Sequence, residues 1–277
     1  MDLFFQKSGN GDPIIILHGL YGSSDNWVTF ARQLAERNTV YLIDQRNHGR
    51  SPHHPEHSYD RMSEDLLEFF TKQHIEKAAI LGHSMGGKTA MLFAAKYPEK
   101  VKGLIVVDIA PAGYASVNEF SPQAIAHLNI VNAMLSVDLA QYNTRAEIET
   151  ELTKTITDAA IRQFIMKNVH RNADHSFNWK LNLKALSNAL PEIMGSIHLE
   201  KVLAHKEPIH IPTLFIRGGH SNYLLPEHYA EIKTYFPEAQ IETIPNAGHW
   251  VHAEQPVIFE QTVTHFLDNL DSYSVTE

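Results

Sequence analysis

One serine of this 277-residue chain stands in a context that can make it a nucleophile. Ser84 is the centre of Gly82-His83-Ser84-Met85-Gly86, with an apolar run that predicts a strand before it and a helical pattern after it. Glycines on both sides allow the sharp turn that lifts a serine hydroxyl above a sheet. The helix N-terminus beneath would favour developing negative charge. We predict a nucleophile elbow; the alternative is a glycine-rich turn with a packing serine.

A serine hydroxyl needs a base to accept its proton, and His249 is the best candidate. It lies in Pro245-Asn246-Ala247-Gly248-His249-Trp250, a loop directly after the last predicted strand. Triads carried on a parallel sheet follow the chain order serine, acid, histidine, which His249 satisfies. His252 is the nearby alternative, but it falls in a stretch that predicts the start of a helix.

Two main-chain N–H groups are candidates for binding an oxyanion. Leu20 follows His18-Gly19 after a predicted strand at residues 14–17, and the glycines around it would let its N–H point at the site. Met85, the residue after the nucleophile, would supply the second donor. We expect His18 to hold this loop by a local hydrogen bond rather than to take part in the chemistry.

Short apolar runs that predict strands alternate with helical patterns along most of the chain. The predicted strands cover residues 3–6, 14–17, 40–43, 78–81, 103–107, 213–216 and 241–244, and helical patterns cover residues 27–37, 61–74 and 87–96. Continuous apolar runs are typical of strands that are covered on both faces. The pattern predicts an α/β fold with a mostly parallel sheet flanked by helices.

The alternation stops after Pro111. From about residue 116 to residue 200 there are only helix signals, including N-caps at Ser121, Thr144 and Asp158, the last opening a helix through Val169. We therefore predict a core of residues 1–111 and 201–277 with a helical cap inserted at residues 112–200. A cap over Ser84 would shape the site; the alternative is a helical excursion that only packs.

The composition excludes several classes of partner and cofactor. A formal net charge of −9 offers no basic field for nucleic acid, and the absence of cysteine excludes disulfides and thiolate sites. We expect no membrane span, and the start of the chain lacks a signal-peptide pattern, which predicts a cytoplasmic protein. The histidine-rich segment at residues 53–57 is broken by proline. We expect it to be a solvated loop and assign no metal.

Four motifs spread over nearly the whole chain carry a family resemblance: His18-Gly19-x-x-Gly22, Asp44-x-Arg46-x-His48-Gly49-x-Ser51, Gly82-x-Ser84-x-Gly86 and Gly248-His249. On these the chain resembles the α/β-hydrolases. The longer stretches at residues 44–52, 82–88, 107–111, 217–219 and 247–253 make it similar to the YbfF-type bacterial esterases and their mammalian mitochondrial relatives. The resemblance implies an α/β-hydrolase fold and acyl-transfer chemistry that requires no cofactor.

The chain departs from the usual α/β-hydrolase pattern in the position of the triad acid. The family typically carries it as G-x-x-D ahead of a proline, in the loop after the strand that corresponds here to residues 213–216. This loop has Ser221 and Asn222 at that place, and asparagine cannot stabilise an imidazolium as a carboxylate does. The carboxylate must come from another element.

Asp108 is the predicted replacement for the missing acid. It ends the predicted strand at residues 103–107, next after the strand that leads to Ser84, so it would emerge at the same edge of the sheet. The spacing from Ser84 resembles that of the alternative acid in YbfF-type esterases and haloalkane dehalogenases. The alternative is an aspartate that only orders the turn. Asp44 is the second choice, although we expect Asp44 and Arg46 to hold the oxyanion loop through a charge-assisted bond.

These residues predict a serine carboxylic-ester hydrolase that acts on small or medium acyl esters through an acyl-enzyme intermediate. The YbfF resemblance adds acyl-CoA thioesters as substrates. The alternatives are a carbon–carbon bond hydrolase or an acyl-carrier methylesterase of the same fold, or a non-catalytic receptor. Tyr21 and Trp179 are predicted to line the acyl pocket, and further candidates are Trp27, Met134, Leu135 and Phe177.

Overall fold

The structure is a computed structural model, and it describes residues 1–114, 121–204 and 207–270. Its strands are β1 (Phe5–Ser8), β2 (Asp12–Leu17), β3 (Asn38–Ile43), β4 (Ala78–His83), β5 (Val101–Val107), β6 (Val169–Arg171), β7 (Phe177–Trp179), β8 (Thr213–Gly218) and β9 (Gln240–Ile244). Seven of them form one sheet in the order β1-β3-β2-β4-β5-β8-β9. Only β1 runs antiparallel to its neighbour in this sheet. The predicted mostly parallel sheet is confirmed.

The helices are α1 (Val28–Leu34), α2 (Tyr59–Lys72), α3 (Met85–Lys96), α4 (Pro122–Ser136), α5 (Arg145–Thr153), α6 (Ala159–Met166), α7 (Leu183–Ile193), α8 (Leu199–Val202), α9 (Tyr229–Tyr235), α10 (Val251–Glu254) and α11 (Pro256–Asp268). Successive side chains along a strand point to opposite faces of the sheet, so an apolar layer lies on each face. One face of the sheet packs on α2, α3 and α9. The other face packs on α1 and α11. Helices on both faces explain why the inner strands β2, β3, β4, β5 and β8 are mostly apolar.

The segment between β5 and β8 is helical, but it also contains a hairpin that the sequence analysis missed. Strands β6 and β7 pair antiparallel. Each has only three residues, and the turn between them is stabilised by the Asp174 carboxylate, which accepts from the Ser176 N–H at 3.0 Å. Strands this short and polar carry no apolar run. The expectation of an all-helical segment was therefore wrong, and the part of it at residues 115–120 lies outside the described residues.

The predicted helix caps of this segment are present. The Ser121 hydroxyl accepts from the Ala124 N–H, Thr144 and Glu147 form a reciprocal capping box, and Asp158 accepts from the first N–H groups of α6. Helix α6 ends at Met166 rather than Val169, because Val169 already belongs to β6. Across the described ranges, no helix combines the length and apolar character that crossing a membrane would require.

Candidate active site

Ser84 sits at the strained turn between β4 and α3. Its φ is 52° and its ψ is −119°, in a region that side-chain-bearing residues rarely adopt. The flanking glycines are required: a Cβ at Gly82 would lie 2.2 Å from the carbonyl oxygen of Gly86, and one at Gly86 would lie 2.4 Å from that of Leu17. The turn therefore presents the hydroxyl at the carboxyl edge of the sheet, as a nucleophile elbow does.

Three predicted side chains meet at this edge in one hydrogen-bonded line. His249 Nε2 lies 3.0 Å from Ser84 Oγ, and His249 Nδ1 lies 2.8 Å from Asp108 Oδ2. Ser84 follows β4, Asp108 follows β5 and His249 follows β9. Because the carboxyl ends of parallel strands lie at the same edge of a sheet, the loops that carry these residues converge there. The distances are those of a nucleophile, a base and an orienting acid. Asp44, the second choice for the acid, does not contact His249.

The Asp108 carboxylate is fully buried and has a hydrogen-bond donor at each oxygen. The Gly218 N–H donates to Oδ1 at 2.9 Å, and the Ser221 hydroxyl donates to Oδ2, which also faces His249. Both donors come from the loop in which the usual acid is missing. Asn222 is exposed on this loop and does not reach His249. The loop supports the carboxylate of another strand instead of supplying one.

The predicted oxyanion loop passes directly over Ser84. A Cβ at Gly19 would lie 2.8 Å from His83 Nδ1 and 3.2 Å from the Ser84 Cβ, so glycine favours this close approach. Leu20, the next residue of the loop, lines the same cavity as Ser84. Met85 is the first residue of helix α3. His18 accepts from the Gln45 N–H at Nε2, 3.0 Å away, and its Nδ1 faces the Gly19 carbonyl at 2.8 Å. Burial lowers the pKa of His18, which keeps the ring neutral for these two bonds.

Asp44 forms a charge-assisted bond next to the oxyanion loop, but the expectation that Arg46 takes part in it was wrong. Asp44 holds the chain just beyond the oxyanion loop, because its Oδ1 accepts from the Ser24 N–H at 2.6 Å. Arg46 instead forms a bidentate pair with Asp65 of α2, at 2.6 and 2.9 Å. A buried aspartate 19 residues away, on a different element, is the better match for a planar guanidinium.

Two further histidines lie close to His249 without competing for its place. The His83 Nε2 faces the His249 carbonyl at 2.9 Å, and His252 stacks on Trp27 with ring centroids 4.0 Å apart. Burial lowers the pKa of His83 well below its usual range and that of His252 to about 3. Both rings are therefore neutral at pH 7, and His252 does not contact Ser84.

The loop that carries His249 is held from both sides by one carboxylate. Glu254 of α10 accepts from the Gly248 N–H at 2.7 Å and from the Trp250 N–H at 3.1 Å. These two residues flank His249 in sequence. The position of Glu254 shortly after Gly248-His249 in the sequence could have indicated this contact.

A cavity of about 380 Å³ opens onto Ser84, His249 and the oxyanion loop. Of the residues predicted to line an acyl pocket, Tyr21 and Trp27 lie in the wall of this cavity, whereas Trp179, Met134, Leu135 and Phe177 do not. Trp179 lies in the hairpin strand β7, which the sequence analysis did not foresee. The apolar lining residues that were not predicted include Ile130, Ile161, Phe164 and Trp250. Trp250 follows His249 directly, which was a usable signal; the others come from helices whose docking depends on tertiary packing.

The histidine-rich segment at residues 53–57 is not a solvated loop throughout. His53 is exposed, but His57 is buried, and burial lowers the pKa of His57 to about 3. Within the described ranges, no group of three or more histidine, cysteine, aspartate or glutamate side chains has a metal-binding arrangement.

Comparison with known proteins agrees with the observed fold. The family model for the alpha/beta hydrolase fold matches residues 12–256, which is most of the chain. The chain belongs to the α/β hydrolase family. This confirms the family resemblance and the fold class that the sequence motifs predicted.

Relatives of this α/β hydrolase carry the names of esterases and lipases. It is 40% identical to the sn-1-specific diacylglycerol lipase of Mus musculus, over 92% of this chain and 80% of the relative. It is 32% identical to the esterase YbfF of Escherichia coli, over 95% of this chain and 96% of the relative. A solved structure of a marine microorganism esterase is 47% identical and superposes with a TM-score of 0.90, covering 95% of this chain and 98% of that one. The predicted enzyme class, an ester-cleaving hydrolase, is the class of these relatives.

Proposed function

We propose that this α/β hydrolase is a serine esterase that cleaves carboxylic esters through an acyl-enzyme intermediate. The observation that carries the proposal is the continuous line from Ser84 Oγ to His249 Nε2, at 3.0 Å, and from His249 Nδ1 to Asp108 Oδ2, at 2.8 Å. An arrangement of this kind activates a hydroxyl and stabilises the imidazolium that forms when the proton moves.

In the proposed reaction, the Ser84 Oγ attacks the acyl carbon while His249 Nε2 accepts the hydroxyl proton. The tetrahedral intermediate collapses, and His249 returns the proton to the leaving alcohol. Water then attacks the acyl-enzyme as His249 accepts its proton. The second tetrahedral intermediate collapses as His249 returns this proton to Ser84 Oγ, which releases the acid and restores the hydroxyl. Asp108 holds the Nδ1–H tautomer and balances the imidazolium charge.

The main-chain N–H groups of Leu20 and Met85 are the proposed donors to the oxyanion. Leu20 follows Gly19, whose backbone lies against Ser84, and Met85 begins the helix whose N-terminus lies under the hydroxyl. Donors that are fixed before the reaction need no reorganisation when charge develops. We assign the supporting role for this loop to His18 and Asp44, through Gln45 and Ser24.

The cavity supports small or medium acyl chains as substrates. Its volume of about 380 Å³ lies near the lower end of the range for small-molecule sites, and its walls are mainly apolar. Residues 112–200 would act as the cap, since His127, Ile130 and Phe164 form one side of the cavity. Oxygen esters and acyl-CoA thioesters both present an acyl carbonyl that fits this scheme. A relative named as a diacylglycerol lipase supports glycerol esters as a further substrate class.

Hydrolysis of p-nitrophenyl esters from acetyl to palmitoyl, with the matching acyl-CoA thioesters, tests this proposal. We expect kcat/KM to be highest at short or medium chains. Ser84→Ala should lower kcat by at least about 10³-fold, because the nucleophile is lost. Ser136→Ala, at an exposed position of α4, is the matched control and should keep the wild-type rate. An inactive wild type, or a Ser84→Ala variant that retains activity, would sink the proposal.

A further inference from the structure

The loop at residues 218–226 contributes a tyrosine to the site in place of an acid. The Tyr223 ring lies on the His249 imidazole, with ring centroids 3.9 Å apart and 25° between the planes. The Tyr223 hydroxyl and His127 Nε2 are 3.0 Å apart and share a hydrogen bond. His127 belongs to α4, in the segment inserted between β5 and β8. One side chain therefore connects α4 with the imidazole that faces Ser84.

Tyr223 has little freedom to move. Its N–H donates to Ser221 Oγ at 3.2 Å, and its carbonyl accepts from the Tyr114 hydroxyl. The Tyr114 ring packs against it edge-on, with centroids 5.3 Å apart. Next to it, Gln123 of α4 donates to the Asn222 carbonyl at 3.0 Å. The loop and the start of α4 are thus joined at two points.

His127 also contacts the oxyanion loop. Its carbonyl accepts from the Tyr21 hydroxyl at 3.2 Å, and Tyr21 directly follows Leu20. Burial lowers the pKa of His127 to about 4 and raises the pKa of the Tyr223 hydroxyl, so both side chains are neutral at pH 7. His127 of α4 therefore contacts both Tyr223, which stacks on the proposed base, and Tyr21, which follows the proposed oxyanion donor.

We propose that Tyr223 is a positioning residue for His249, and that its hydrogen bond to His127 makes the orientation of the base depend on α4. The inference rests on the proposed function, since it takes His249 as the base for Ser84. A stacked aromatic ring restricts rotation of the imidazole and keeps Nε2 aimed at Oγ. Small errors in such an alignment slow the chemical step more than they weaken substrate binding.

The first test compares Tyr223→Leu with Tyr223→Phe in p-nitrophenyl butyrate hydrolysis. The leucine variant loses the ring, and we expect kcat to fall about 10-fold or more while KM changes less than about 3-fold. The phenylalanine variant keeps the ring and should recover most of this loss. Tyr235→Leu removes a tyrosine ring of α9 that does not line the cavity, and it is the control for a loss of packing alone.

The second test is a double-mutant cycle between Tyr223→Phe and His127→Phe. Both changes remove the same hydrogen bond, so the effect of Tyr223→Phe on kcat should vanish when residue 127 is already changed. This cycle still tests the coupling between Tyr223 and His127 if Tyr223→Leu fails to fold, since neither phenylalanine variant leaves a cavity.

The results separate the two claims. Strictly additive effects in the cycle would overturn the coupling of His249 to α4, and an unchanged kcat in a folded Tyr223→Leu variant would overturn the positioning role of Tyr223, while hydrolysis still depends on Ser84. A wild type whose ester hydrolysis does not depend on Ser84 would instead overturn the proposed function. Circular dichroism and thermal unfolding of each variant show that the fold is intact.

Discussion

The orientation of one aspartate gives this site its unusual character. Asp108 has a φ of 52°, a backbone conformation that is uncommon for a residue with a side chain. Its N–H donates to the Ile216 carbonyl at 2.8 Å, and its carboxylate is bound by Gly218 and Ser221. Neighbouring strands thus hold the strained residue in place. We infer that this strain serves to direct the carboxylate at His249.

Asp108→Asn should lower kcat by about 10³-fold to 10⁴-fold, because an amide can neither balance an imidazolium nor hold the required tautomer. The change preserves volume, so the fold should remain. Asn222→Ala is the matched control at the place of the usual acid, and its kcat should stay within about 3-fold of wild type, since Asn222 is exposed. Steady-state kinetics on one ester decide between them. Nearly normal turnover in Asp108→Asn would remove this residue from the triad.

Helix α3 connects the turn at Ser84 with the segment that follows β5. Lys88 lies one turn after Ser84 and is fully buried. Its Nζ donates to the carbonyls of Ala112 and Gly195, at 2.7 and 2.5 Å. These carbonyls lie near the two ends of the segment at residues 112–200. Lys88 therefore ties the start of the segment between β5 and β8 to a point near its end.

The stability of the protein should depend on pH through Lys88. Burial lowers the pKa of Lys88 to about 7. An unfolded lysine titrates near pH 10.4. Between these values the unfolded chain binds a proton that the folded chain does not bind, so this residue makes the free energy of unfolding rise with pH. The slope is at most about 1.4 kcal/mol per pH unit, and stability is lost as pH falls toward 7.

Urea unfolding of wild type and Lys88→Met at pH 7, 8 and 9 measures this contribution. The difference in unfolding free energy, wild type minus variant, should increase with pH. Lys184→Met, which changes an exposed lysine of α7, should show no such trend. A wild-type-minus-Lys88→Met difference that stays constant over this range would mean that Lys88 remains charged in the folded protein.

Across the molecule, features that depend on a few consecutive residues could be predicted from the sequence, and features that depend on packing between distant elements could not. The apolar strand runs, the elbow around Ser84 and the caps at Ser121 and Asp158 each depend on a few consecutive residues. The pairing of Arg46 with Asp65 depends on how α2 docks. The position of Trp179 depends on a hairpin too short to leave a pattern.

The site shows the same division. Ser84, Asp108 and His249 could be proposed from sequence because each follows a strand, and strand ends converge by topology. The stack of Tyr223 on His249 and its bond to His127 join a loop to a helix that lies about 100 residues away, and no local signal marks them. The wall formed by Ile161 and Phe164 likewise follows from the docking of α6 over the sheet edge.

The proposed reaction depends on the activation of Ser84 by His249. Paraoxon, an uncharged p-nitrophenyl phosphate triester, tests it directly, because an activated serine displaces p-nitrophenolate and keeps a stable phosphoryl group. We predict release of one equivalent of p-nitrophenolate per chain, a phosphorylated peptide that contains Ser84, and no comparable reaction in His249→Ala. A label on another residue, or an unlabelled chain that still hydrolyses esters, would contradict the account.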